Sequence, residues 1–211
     1  FSLLYSYANS MPTQIQIAFD TYKKCNKITF PLNICAKKDE TSGTFKKDLV
    51  PRPPKEFQHF TLASSPIPNA SHNALGMLTG RVNGVFVVDI DNVDHFTKLL
   101  KIVNQKEPKT VKQWSAKGGF HLFFKYAQRL ENIKSGSKNF GKDYDIDVRN
   151  NGAFIFVAPT SFINSDVNWT YRWDSNEFKS CDLADLPDWM YELLLNPLAS
   201  QKDAKSIPRK V

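Results

Sequence analysis

Asp89 and Asp91 stand two positions apart at the end of "VFVVDIDN" (85–92), a run of β-branched and aromatic residues that reads as a buried strand. Side chains at i and i+2 of a strand leave the same face, roughly 6 to 7 Å apart at the backbone, so the two carboxylates can converge at their oxygens. His121 in "SAKGGFHLFFKY" and Asp147 in "YDIDVRNNG" lie on two further strand-like runs, each on a polar face that alternation separates from apolar neighbours. Carboxylates gathered in this way repel one another, so the set makes sense around divalent cations. Oxygen donors suit Mg²⁺ or Mn²⁺, and a pair of such ions supports in-line phosphoryl displacement. A lone Asp-x-Asp is more often a solvated strand end; what distinguishes this one is its buried-type strand and the second acidic strand that follows. Ser115, Lys117 and His121 surround a Gly118-Gly119 turn whose backbone N–H groups, with the lysine charge and the two side-chain donors, could receive a phosphate. By itself a Gly-Gly turn is only a turn.

The flanking pattern says which elements would hold these groups. Ile15, Ala18, Phe19 and Tyr22 recur at helical spacing over 12–24, with Ser10 as the expected N-cap. "NALGMLT" and "GVFVVDI" read as a hairpin closed through Asn83-Gly84. Val93, Phe96, Leu99, Leu100 and Val103 then mark an amphipathic helix, which puts the carboxylates at the carboxyl end of a strand. Two more hairpins are expected, in "TVKQWSAKGGFHLFFKY" and "YDIDVRNNGAFIFVAP", forming a sheet with one apolar and one charged face. "LADLPDWMYELLLN" closes the pattern as a short helix with Pro187 near its start.

Composition narrows the class. With 41% apolar and 13% aromatic residues in 211, the chain can build a packed core, and its net charge of +7 favours an acidic partner, nucleic acid first. Cys25, Cys35 and Cys181 show no paired spacing, which argues against a disulfide framework and a zinc ribbon. No apolar run reaches a membrane span and nothing reads as a secretory signal, so an intracellular, non-secreted protein without a membrane partner is expected. The start at Phe1 and the basic tail "ASQKDAKSIPRKV" suggest a domain taken from a longer protein. Lys23, Lys24, Lys46, Lys47, Lys134, Lys138 and Lys142 are candidates for a nucleic-acid template track, and Trp114, Trp169, Tyr171 and Trp173 for base stacking, although a solvated lysine or a core aromatic is at least as good a reading of each.

In this order and at these separations, "NALGMLTGRVNGVFVVDID", "WSAKGGFHLFF" and "DIDVRNNGAFIFVAPTS" resemble the three motifs of the archaeo-eukaryotic primase superfamily, in the prim-pol branch of plasmid, phage and large-DNA-virus replication proteins. The resemblance runs from about Leu75 to Tyr191, with residues 1–60 matching loosely. It implies one primase-polymerase domain over 1–195, divided into a variable amino-terminal lobe (1–74) and a motif-bearing core (75–195), with 196–211 a basic linker. The implied fold is α/β (α+β), an amino-terminal α/β lobe packed on an antiparallel sheet like that of RNA-recognition motifs (RRM-like), with the metal site in the cleft between them.

The same resemblance makes Asp89, Asp91 and Asp147 the metal ligands, with Asp145 the alternative third ligand. It makes Ser115, Lys117 and His121 the phosphate-contacting group and brings Arg81 and Arg149 near the incoming triphosphate. The implied activity is template-directed nucleotidyl transfer by a DNA primase/polymerase during replication, with two Mg²⁺ or Mn²⁺ ions and no zinc. Its partners would be single-stranded DNA, nucleoside triphosphates, an RNA or DNA primer and a fused or associated helicase. Three other readings compete: a non-catalytic single-strand-binding module of the same fold, a metal-dependent nuclease, and, with less support, a glycosyltransferase of the Asp-x-Asp type.

Overall fold

A computed structural model describes residues 11–199. In chain order the elements are α1 (Gln14–Lys24), β1 (Thr29–Leu32), β2 (Ile34–Lys38), β3 (Phe45–Leu49), β4 (Ala74–Leu78), β5 (Val85–Ile90), α2 (Val93–Ile102), β6 (Val111–Trp114), β7 (Phe120–Lys125), β8 (Ile146–Arg149), β9 (Phe154–Val157), β10 (Ser161–Ile163), β11 (Asn168–Thr170), β12 (Arg172–Trp173) and α3 (Asp188–Leu195). Helix α1 buries Ile15, Phe19 and Tyr22, as their spacing requires. The Thr13 side chain accepts from the Gln16 backbone and the Gln16 side chain answers it, a reciprocal cap. The expected cap, Ser10, lies outside the described residues, as does most of the expected linker.

Two antiparallel sheets form the body. One has the order β12-β6-β7-β5-β8, the other β1-β4-β9. This overturns two of the three expected hairpins. β4 and β5 meet only at one bridge, Gly80 with Val85, and then part into different sheets; β4 pairs with β1 and β9 instead. β8 and β9 part in the same way, β8 joining β5 and β9 joining β4. Only β6 and β7 form the hairpin the turn signal suggested. Buried asparagines fix both partings. Asn83 accepts from the Ile28 N–H and donates to the Ile28 and Leu78 carbonyls, while Asn150 donates to those of Leu130 and Ile133. A side-chain amide takes up backbone groups where the ladder stops, which the burial of these loops demands. The β1–β4 pairing also carries one sheet across the 74/75 division.

The five-stranded sheet is covered on both faces, so the expectation of one apolar and one charged face is corrected. Phe86, Val88, Ile90, Leu122, Phe124, Ile146 and Val148 pack with Phe96 and Leu99 of α2 and Met190 of α3. On the opposite face Val85, Val87, Val111 and Phe123 pack with β1, β4 and β9. At one end of that second face Asp89, His121, Gln113 and Asp147 form a polar cluster almost without solvent contact, while Lys125 stands exposed at the other end. Among the described residues no helix is long and apolar enough to cross a membrane.

Candidate active site

Strand pairing brings the acids together. Asp89 on β5 lies opposite His121 of β7 on one side and Asp147 of β8 on the other. Asp91 follows one residue past the end of β5, and its N–H donates to the Asp145 carbonyl, extending the β5–β8 ladder. Carboxylate oxygens of Asp89, Asp91 and Asp147 all lie within 4.8 Å of one another. Asp145 is excluded from this group because the strand begins only at Ile146; its carboxylate turns instead toward His95 Nδ1 (3.1 Å) and Lys138 Nζ (3.3 Å).

Each acid is held differently. Asp147 accepts from Ser137 Oγ (2.9 Å), the Lys138 N–H (3.0 Å) and Arg149 Nη2 (3.1 Å). Asp89 takes His121 Nε2 on one oxygen (3.2 Å) and Arg149 Nη2 on the other (3.4 Å). Burial opposes ionisation of Asp89, but the His121 imidazole, Arg149 and Lys47 more than offset it and hold the carboxyl below its usual range. Asp91, open to the cleft, is pushed the other way, first by desolvation and then by the charges of Asp89 and Asp147. A set of oxygen donors that raises the pKa of its most accessible member is one that a hard cation would relieve, and the site therefore fits Mg²⁺ or Mn²⁺.

The proton on His121 can be located. The Ala158 N–H donates to Gln113 Oε1 (2.7 Å), which fixes the amide so that Nε2 donates to the Phe156 carbonyl (2.8 Å). Gln113 Nε2 also faces His121 Nδ1 at 2.9 Å. An amide nitrogen can only donate, so Nδ1 accepts and the imidazole proton sits on Nε2, directed at Asp89. Gln113 is fully buried and joins the five-stranded sheet to the chain around β9.

A cleft of roughly 510 Å³ opens over these groups, lined by Asp89, Asp91, His121 and Arg149 on one side and by Phe57, Phe154 and Phe156 on another. Ser115 and Lys117 reach it from the β6–β7 turn. That turn can lie against β5 because Gly119 has no side chain; a Cβ there would stand 2.2 Å from the Ile90 carbonyl oxygen. Lys117 Nζ donates to the Phe45 carbonyl (3.1 Å) and lies over Trp169 (5.3 Å). Arg81 is placed elsewhere. It precedes β5 at the strand's far end and pairs with Glu131 (2.8 Å), so the triphosphate contact expected of it is not carried forward. Of the expected stacking residues Tyr171 lines the cleft, whereas Trp173 is core, donating from Nε1 to the Tyr22 hydroxyl (2.9 Å).

Comparison with known families matches residues 38–189 to the family described as bifunctional DNA primase/polymerase, N-terminal (Prim-Pol). The chain belongs to this family. No curated protein matches the sequence at a significant level. The Prim-Pol match begins well before Leu75, so it takes in most of the β2–β3 hairpin that the motif resemblance left as a loosely matching segment. Gln113, Phe156 and Ser137 were not singled out by sequence reasoning, and Lys47 and Lys138, which the structure brings to the cleft and to Asp147, were named there only as candidates for a nucleic-acid track. Their contacts are made across strands or between sheets and leave no local pattern in the chain.

Proposed function

We propose that this Prim-Pol domain catalyses template-directed nucleotidyl transfer from nucleoside triphosphates on single-stranded DNA during replication. The observation that carries the reading is the convergence of Asp89, Asp91 and Asp147 from adjacent strands beneath an open cleft. These carboxylates would hold Mg²⁺ or Mn²⁺, two ions in the full reaction. A metal held there would supply Lewis-acid activation of a 3′-hydroxyl and charge neutralisation for the triphosphate and pyrophosphate. Ser115 and Lys117, at the turn over the carboxylates, bind phosphate oxygens. His121, with its proton fixed on Nε2, keeps Asp89 ionised and oriented. Arg149 braces Asp89 and Asp147 and offers the rest of its guanidinium to the cleft. Phe57, Phe154 and Phe156 give an apolar wall suited to a nucleobase.

The order β8-β5-β7-β6, with α2 between β5 and β6, supports the RRM-like reading of the main sheet. A template and primer would lie along the basic surface, and an associated helicase fits a replication role.

The test is synthesis on single-stranded DNA with ribo- or deoxyribonucleoside triphosphates and Mg²⁺ or Mn²⁺, with and without primer, beside Asp89→Ala/Asp91→Ala. Products that require triphosphates and vanish in the double variant are expected. Nucleotide release from DNA without added triphosphates would identify a nuclease, and single-strand binding with neither metal binding nor product would identify a non-catalytic module.

A further inference from the structure

Lys47 lies on β3, outside all three acidic strands, yet its ammonium enters the cleft. The residue as a whole is exposed, but Nζ sits over the Phe156 ring (4.5 Å) and the Tyr171 ring (5.1 Å), and it donates to the Tyr171 hydroxyl. Burial holds that phenol neutral by raising its pKa, with Asp89 and Asp91 adding to the rise, so the hydroxyl is a hydrogen-bond acceptor and not a counter-ion. Each of the other cations of the cleft also holds a carboxylate or a backbone carbonyl, leaving only its remaining donors for a phosphate. Arg149 bridges two carboxylates and Lys117 donates to the Phe45 carbonyl. The latter bond ties the β6–β7 turn to the first residue of β3, two positions before Lys47, so the hairpin and the turn form one rim of the cleft.

We infer that Lys47 is a triphosphate-binding residue, and that the β2–β3 hairpin completes the nucleotide site by presenting it across the cleft from Asp89 and Asp91. The inference rests on the nucleotidyl-transfer reading above. A lysine ammonium is a compact point charge suited to phosphate oxygens, and one partnered by aromatic faces and a neutral hydroxyl keeps its full charge for an anion. Desolvation lowers its pKa to about 8, and a bound polyanion at that place would favour the charged form again. Two neighbours on the hairpin differ from it. Lys46 is paired with Asp39, and Lys37 lies opposite Lys46 on the far side of the ribbon.

The experiment titrates a non-hydrolysable deoxynucleoside triphosphate and the matching nucleoside into the intact chain with Mn²⁺, for wild type, Lys47→Ala, Lys47→Arg and Lys37→Ala, and measures single-strand DNA binding alongside. The expected result is triphosphate binding weakened about 10- to 100-fold in Lys47→Ala, from loss of a charge-assisted hydrogen bond. Nucleoside, Mn²⁺ and single-strand binding should be kept, Lys47→Arg should recover most of the affinity, and Lys37→Ala should match wild type. Triphosphate affinity unchanged in Lys47→Ala, or an equal loss for nucleoside and triphosphate, overturns the assignment while leaving the wider reading intact. A wild-type chain that binds no triphosphate with Mn²⁺ overturns both.

Discussion

Gln113 offers the sharpest perturbation of the site without touching a carboxylate. In Gln113→Glu the Ala158 N–H keeps an acceptor, but the Phe156 carbonyl loses its donor and an acidic oxygen replaces the N–H that faced His121 Nδ1. His121 then gains a proton on Nδ1 and becomes an imidazolium between two carboxylates. For a divalent cation, a unit positive charge about 5 Å away at an effective dielectric of about 20 costs about 7 kcal/mol, of which the new carboxylate at position 113, about 9 Å away, offsets about 4, leaving about 3 kcal/mol against the cation. Mn²⁺ affinity is therefore expected to fall by about 100-fold or somewhat more. Gln113→Leu separates this effect from simple damage. It leaves three buried partners without their bonds, at about 1–3 kcal/mol each, so a loss of at least 3 kcal/mol and a melting temperature lower by about 6–12 °C are expected.

The assay is ¹⁵N NMR of histidine-labelled protein, which reads the protonation of each ring nitrogen, together with Mn²⁺ titration. Wild-type His121 should show a bare Nδ1 and a protonated Nε2, and Gln113→Glu should show both protonated. A wild-type Nδ1 that already carries a proton would refute the reasoning, as would a Gln113→Glu chain that binds Mn²⁺ like wild type.

Two further outcomes follow from the same contacts. Gly119→Ala drives a methyl into the Ile90 carbonyl and should cost about 1–3 kcal/mol and abolish synthesis. Gly118→Ala faces open space at φ +86°, so it should cost about 1–2 kcal/mol and keep synthesis; loss of synthesis in both variants would contradict this. The lowered pKa of Lys47 also gives stability a pH dependence. Between about 8 and its ordinary 10.5 the unfolded chain holds a proton the folded chain has released, so this group's contribution to stability rises with pH across that window. Denaturation of Lys47→Met beside wild type should show the variant favoured at pH 7.5, with its advantage shrinking by pH 10.5; an advantage that grows with pH would reverse the sign.

What the sequence carried was mainly what alternation and helical period can encode. The end of β5 places Asp89 and Asp91 as the "VFVVDIDN" pattern required, and Phe96 and Leu99 of α2 are buried as their spacing implied. Strand partnership was not legible. Every residue of β4 is buried, so its pattern names no outer face, and a turn signal such as Asn83-Gly84 specifies chain reversal and not the sheet each strand then joins. Asp145 and Asp147 could not be separated by alternation because the strand starts between them. Lys47 was one lysine among many. It acquires its place only because β3 packs where Phe156 and Tyr171 form the cleft wall.

The most direct test of the account is metal-dependent primer extension by Asp147→Asn beside Asp145→Asn. The two acids are separated by one residue, but only Asp147 joins Asp89 and Asp91 within 4.8 Å, while Asp145 pairs with His95 and Lys138. Asp147→Asn should yield no product and lose Mn²⁺ affinity, with Asp145→Asn close to wild type in both. Extension that survives in Asp147→Asn and disappears in Asp145→Asn would contradict the site described above.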